Sequence, residues 1–185
     1  MLESVTDPAG ESASAKRTAE GALGASLPKP ERYAELRSRL LGVLEGEEDA
    51  LANLANVTAA VHEWLPDLNW AGIYRLVGGE LVLGPFQGRP ACVRIAVGAG
   101  VCGTAVATGT TQVVPDVHAF PGHIACDPRS RCVFVVPFRD EAGGVVAVLY
   151  LDSDRPGTFD EADRAGLEDV VAAFAPRIAW SRLRG

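Results

Sequence analysis

The sequence predicts an α+β fold: a mostly antiparallel sheet with helices covering one of its faces. Apolar residues recur at helical spacing in two N-terminal stretches and one C-terminal stretch. Between them the pattern changes to short β-branched and aromatic runs of strand length. Two pairs of these runs are joined by glycine-rich turns, at Gly78-Gly79 and at Glu141-Ala142-Gly143-Gly144, which read as hairpins. Helices on one face leave the other face, with its loops, for a site.

Taken in order, residues 1–27 are rich in Ala, Ser, Gly and Glu and have no apolar period. Such a segment cannot bury enough surface to offset its ordering entropy, so a disordered tail is expected before a single domain over 28–185. After Pro28 and Pro30, Tyr33, Leu36, Leu40, Leu41 and Leu44 mark a first helix that Gly46 ends. A second runs from about Glu47 to Trp64, with Leu51, Leu54, Val57, Ala60 and Val61 on its stripe, and Pro66 stops it. Trp70–Leu76, Leu81–Phe86 and Val93–Val97 read as strands. A short helix from Val101 to Ala107, between Gly100 and Gly109, carries Cys102 in its first turn. Thr111–Val114 is strand-like, and residues 115–131 form the longest stretch without periodicity. A loop of that length in a compact domain is usually functional, and this one holds His118, His123 and Cys126. Val133–Phe138 and Val145–Leu151 make the second hairpin. A last helix, capped by Thr158 or Asp160, runs through Leu167, Val170, Val171 and Phe174 to Pro176.

With 185 residues the chain suffices for one domain with a substantial core. Its net charge of −7 argues against a nucleic-acid backbone or an anionic membrane surface as partner. No apolar run approaches the roughly 20 residues of a membrane span, and the N-terminus lacks the charge-then-apolar pattern of a secretory signal. A cytoplasmic location is therefore expected, where cysteines serve metal binding, redox work or plain burial.

Three of the four cysteines stand in dense segments: Ala91-Cys92-Val93-Arg94-Ile95 leading to Gly100-Val101-Cys102-Gly103-Thr104-Ala105, then Gly122-His123-Ile124-Ala125-Cys126-Asp127. Together with Asn69-Trp70-Ala71-Gly72-Ile73-Tyr74, Leu83-Gly84-Pro85-Phe86-Gln87-Gly88 and Asp116-Val117-His118, they resemble the free methionine-(R)-sulfoxide reductases built on a GAF domain. The resemblance spans about residues 32–174. It implies a GAF fold with a six-stranded antiparallel sheet, a homodimer, a small-molecule sulfoxide substrate, no cofactor, and thioredoxin as reductant. It also implies Cys126 as the attacking thiol, Cys102 as principal resolving thiol and Cys92 as a second, although Cys126 and Cys102 could exchange roles. Trp70, Tyr74, Ile124, Ala125, Tyr150 and Asp152 are the implied substrate-binding residues.

Two segments depart from the family pattern. Where the family has Ser-Glu ahead of the strand after the long loop, this chain has Cys132-Val133. Where the family has Asp-x-Asp-Ser, it has Tyr150-Leu151-Asp152-Ser153. The missing Glu and Asp belong to the pocket that holds the substrate's amine and sulfoxide, so a related small sulfoxide is an alternative substrate.

Sulfoxide reduction needs a nucleophile on sulfur, a proton for the departing oxygen, and a second thiol to discharge the sulfenic acid. Cysteines also serve as small buried hydrophobes, which is the alternative reading of all four. Cys132 is either such a core residue or an extra redox thiol. A zinc site from Cys126, Cys132, His118 and His123 lacks a C-x-x-C pair and has loose spacing, so no metal is expected. His118 or His123 could stabilise a thiolate or deliver a proton, or simply bond loop carbonyls. The competing function is a non-catalytic or redox-sensing GAF module in which disulfide formation is the signal.

Overall fold

The computed structural model describes residues 22–122 and 128–183. Helices α1 (Lys29–Val43) and α2 (Ala50–Trp64) precede strands β1 (Trp70–Val77), β2 (Glu80–Gln87) and β3 (Arg94–Ala96). Helix α3 (Gly100–Thr108), β4 (Gln112–Val114), β5 (Cys132–Arg139), β6 (Val145–Ser153) and α4 (Glu161–Phe174) follow. The six strands form one sheet of order β3-β2-β1-β6-β5-β4, antiparallel at every described pairing, as the resemblance implies.

Local chemistry accounts for the boundaries. Pro30 stands in the first turn of α1, where its missing N–H costs no helical bond. Asp49 caps α2 by accepting from the Ala52 amide at 2.8 Å, so the helix starts at Ala50 rather than near Glu47. Gly78 and Gly79 both lie in the left-handed region (φ 60° and 83°), the conformation that a two-residue hairpin turn requires. Asp160 and Asp163 form a capping box at the start of α4. Lys29 bridges to both, at 2.8 Å and 2.6 Å, and its bond to Asp160 holds that carboxyl down at about 2.

Alternation along the strands divides the interior into two clusters. On β5, Cys132, Phe134, Val136 and Phe138 face α1, α2 and α4, and pack with Leu36, Leu54, Val61 and Phe174. Val133 and Val135 face the other way, toward Trp70, Tyr74, Ile95, Cys102 and Ala105 beneath α3. Helices α1 and α4 approach closely where the Tyr33 ring lies over Gly166, a position that leaves no space for a Cβ.

The boundary of the expected tail needs correction. Residues 1–21 lie outside the described residues, but residues 22–27 are docked. The Leu23 and Gly24 amides donate to the carbonyls of Glu63 and Trp64 at the end of α2 (3.2 Å and 3.1 Å). Arg32 donates to the carbonyls of Gly24, Ala25 and Leu27. The two amide bonds satisfy orphan carbonyls at the C-terminus of α2 and the Arg32 bonds hold the turn's own carbonyls, gains that no apolar period reveals.

Candidate functional site

The site is built on the sheet face that α3 covers. Trp70 and Tyr74 project from β1 to this side, as their two-residue period predicts, with ring centroids 6.1 Å apart. Between them Gly72 lets the Trp70 indole lie across the strand, since a Cβ there would fall within the ring. Phe86 of β2 stacks on Trp70 at 5.3 Å, and Tyr150 of β6 meets Trp70 and Tyr74 edge-on at 5.4 Å and 6.5 Å.

These aromatic residues also hold the connection between β2 and β3. The Trp70 Nε1–H donates to the Arg89 carbonyl, and the Tyr74 hydroxyl donates to the Cys92 carbonyl, each at 2.9 Å. With the Leu83 amide bound to the Val93 carbonyl at 2.9 Å, the segment bearing Cys92 is pinned over the aromatic floor. Cys92 is half-buried and disulfide-bonded, whereas Cys102 and Cys132 are free thiols.

Cys102 sits in the first turn of α3, where the helix terminus would favour a thiolate. Complete burial works against this and pushes its thiol well above the ordinary range, so desolvation prevails. Cys132 occupies the opposite side of the sheet, fully buried in the helix-facing cluster and in register with Ser153. Burial raises its thiol too, although the backbone amides of Phe159, Thr158 and Gly157 oppose the shift. The sheet therefore separates Cys132 from the aromatic floor, because neighbouring Val133 takes the site-facing position.

Asp152 lies at the base of the site, with 2% of its surface exposed, between Trp70 on β1 and Val133 on β5. Its Oδ2 accepts from the Ser130 hydroxyl in a short bond and from the Tyr150 hydroxyl at 3.4 Å. Burial, followed by the nearby Asp152 charge, holds the Tyr150 phenol well above its usual value, so it remains a donor. Phe86, beside Pro85 within β2, stands in a family motif but carries no site signal of its own in the sequence, and Ser130 in the aperiodic loop carries none at all.

His123, Ile124, Ala125 and Cys126 lie outside the described residues. His118 is exposed on a 3-10 turn (Val117–Ala119) capped by Asp116, with its Nε2 3.1 Å from Arg131 Nη1. Among the described residues no three metal-ligating side chains converge, and no helix is long and apolar enough to cross a membrane. A cavity of about 290 Å³ opens on the helix side, but its Lys29, Tyr33 and Asp163 walls are bonded to one another.

The chain matches the GAF domain family over residues 49–178. It is 49% identical over 153 residues to the free methionine-R-sulfoxide reductase of Escherichia coli, covering 83% of this chain and 92% of that protein. Identity to the Saccharomyces cerevisiae free methionine-R-sulfoxide reductase is 39% over 153 residues, covering 79% and 85%. The solved Neisseria meningitidis free methionine-R-sulfoxide reductase, in complex with its substrate, superposes with a TM-score of 0.79 at 41% identity, covering 84% of this chain and 93% of that one. With a family match over most of the chain and identities of 39–49% to relatives that it spans almost end to end, the chain belongs to the free methionine-R-sulfoxide reductase family of GAF-domain oxidoreductases.

Proposed function

We propose that this chain reduces methionine-R-sulfoxide, or a related small methyl sulfoxide, with Cys126 as the attacking thiol and Cys92 as the resolving one. The observation that carries this reading is the disulfide at Cys92, in a segment that Tyr74 pins above Trp70, Tyr150 and Asp152. Cys102 and Cys132 are free thiols, so among the described residues Cys92 is the cysteine engaged in a disulfide. This moves the principal resolving role from Cys102, whose burial disfavours a thiolate, to Cys92.

In the first step the Cys126 sulfur takes over the sulfoxide oxygen: the S–O bond of the substrate breaks, its sulfur is reduced to a thioether, and Cys126 is oxidised to sulfenic acid. The departing oxygen needs a proton, and the hydroxyls gathered on Asp152 supply donors at that end of the site. The Cys92 thiol then displaces water from the sulfenic acid to form the disulfide. Exchange with the dithiol of thioredoxin restores both thiols and leaves thioredoxin oxidised. The protein works as a cytoplasmic homodimer in this reading.

NADPH consumption with thioredoxin, thioredoxin reductase and methionine-R-sulfoxide tests it. Cys126→Ser abolishes turnover, Cys92→Ser limits the enzyme to about one thioether per chain, and Cys102→Ser keeps multiple turnover. Sustained turnover by Cys126→Ser sinks the assignment. The sensory reading rests on the same disulfide: peroxide would form it fully while no sulfoxide is consumed.

A further inference from the structure

We infer that the β3 edge of the sheet, with Val93 and Val97 at its two ends, is the surface on which a dithiol reductase of the thioredoxin class docks to open the Cys92 disulfide. The inference rests on the reductase reading and names the contact which that reading needs for its last step. β3 is the outermost strand on its side of the sheet, and no strand pairs beyond it among the described residues. The Leu83 amide donates to the Val93 carbonyl, and Arg94 stands opposite Val82. The alternation of an antiparallel ladder therefore turns the Arg94 amide and carbonyl outward. An extended segment of a partner can bond to such an edge. Val93 is 63% exposed and Val97 42%, whereas Ile95 between them is buried in the site-side cluster. The other large apolar side chains exposed among the described residues, Leu23, Val43 and Leu51, belong to the N-terminal turn and to α1 and α2.

What selects a reductase as the occupant is Cys92, the residue next to Val93. Tyr74 and Trp70 hold the carbonyls of Cys92 and Arg89, so the half-buried cysteine is fixed in place and its attacker must come to it. A thiolate of the partner attacks the Cys92 sulfur; the protein's S–S bond breaks, and its other sulfur leaves as a thiolate and takes up a proton. The partner's second thiol, giving up its proton, then displaces Cys92, which leaves as a thiolate in turn. The two electrons that reduce this protein come from the dithiol, which ends as a disulfide. Two valines and a three-residue strand suit the small contact of a redox encounter, below roughly 1,200 Å², better than the larger one of a lasting dimer.

The test starts from the full chain oxidised by dilute peroxide, which makes it independent of sulfoxide turnover. The second-order rate of disulfide reduction is measured with thioredoxin and, separately, with dithiothreitol, a dithiol too small to need docking. Val93→Ser and Val97→Ser, both changes of exposed side chains, are each expected to slow thioredoxin about tenfold, the effect of one apolar side chain no longer buried. Both leave the dithiothreitol rate unchanged, and Leu51→Ser on α2 changes neither rate. A thioredoxin whose second active-site cysteine is replaced by serine is expected to be trapped on Cys92, as peptide mapping reads out. Thioredoxin rates that ignore both valines overturn the inference, as do equal losses with the two reductants or a mixed disulfide on another cysteine. So does a thioredoxin that reduces the unsubstituted protein no faster than dithiothreitol. Valine variants that split a dimer into monomers while the thioredoxin rate holds assign the edge to a second copy and overturn it too. If thioredoxin opens the disulfide as expected while no sulfoxide is consumed, only the reductase reading falls. Sulfoxide turnover with thioredoxin rates indifferent to both valines overturns only the docking surface.

Discussion

Tyr74 serves two ends at once: its ring packs on Trp70, and its hydroxyl fixes the carbonyl of the cysteine that forms the disulfide. Positioning of this kind affects the rate at which a thiol reaches its partner more than it affects stability, since one hydrogen bond contributes only about 1 kcal/mol net. Tyr74→Phe is therefore expected to slow formation of the Cys92 disulfide under dilute peroxide several-fold, with little change in melting temperature. A mass-spectrometric time course of the Cys92 peptide checks this. An unchanged rate would mean that the segment is held by Trp70 and Leu83 alone.

Between elements, the contact of α1 with α4 depends on the absence of a side chain at Gly166. In an open helix Gly→Ala stabilises by about 1 kcal/mol. At this position the added methyl meets the Tyr33 ring, and Tyr33 cannot swing away without breaking its 2.6 Å bond to buried Asp163. Gly166→Ala is expected to destabilise the fold by roughly 1–3 kcal/mol, the usual cost of overpacking. Urea unfolding measures it, and a stabilised variant would show that the two helices can part at little cost. The same crowding explains why α4 carries a glycine where its sequence otherwise favours helix formers.

For the whole molecule, the fold begins before its first helix. Deleting residues 1–21 should leave stability unchanged, whereas deleting residues 1–27 removes the amide bonds to Glu63 and Trp64 and the carbonyls that hold Arg32. That loss is expected to cost about 2 kcal/mol, or roughly 4–8 °C in Tm for a chain of this size. Comparative thermal melts of the two truncations check it. Equal melting temperatures would show that the docked turn contributes nothing net.

The amphipathic helices, the two glycine hairpins, the shared side of Trp70 and Tyr74 and the helix-borne Cys102 were all legible in the sequence, because periodicity and turn chemistry act over a few residues. Family motifs added the six-stranded sheet and the cysteine segments. Tertiary structure decided what depends on distant neighbours. It divided Cys132 from Val133 across the sheet, since adjacent strand residues point to opposite faces and only the packing of helices and α3 says which face is which. It raised the Cys102 thiol by burying it, against the helix-terminus effect that its position suggests. It brought Ser130 and Tyr150 onto Asp152, and docked residues 22–27 through backbone bonds that carry no side-chain pattern. The sequence by itself determined the elements and the reactive residue types; burial and cross-strand register, which are properties of the assembled sheet, decided which of them meet.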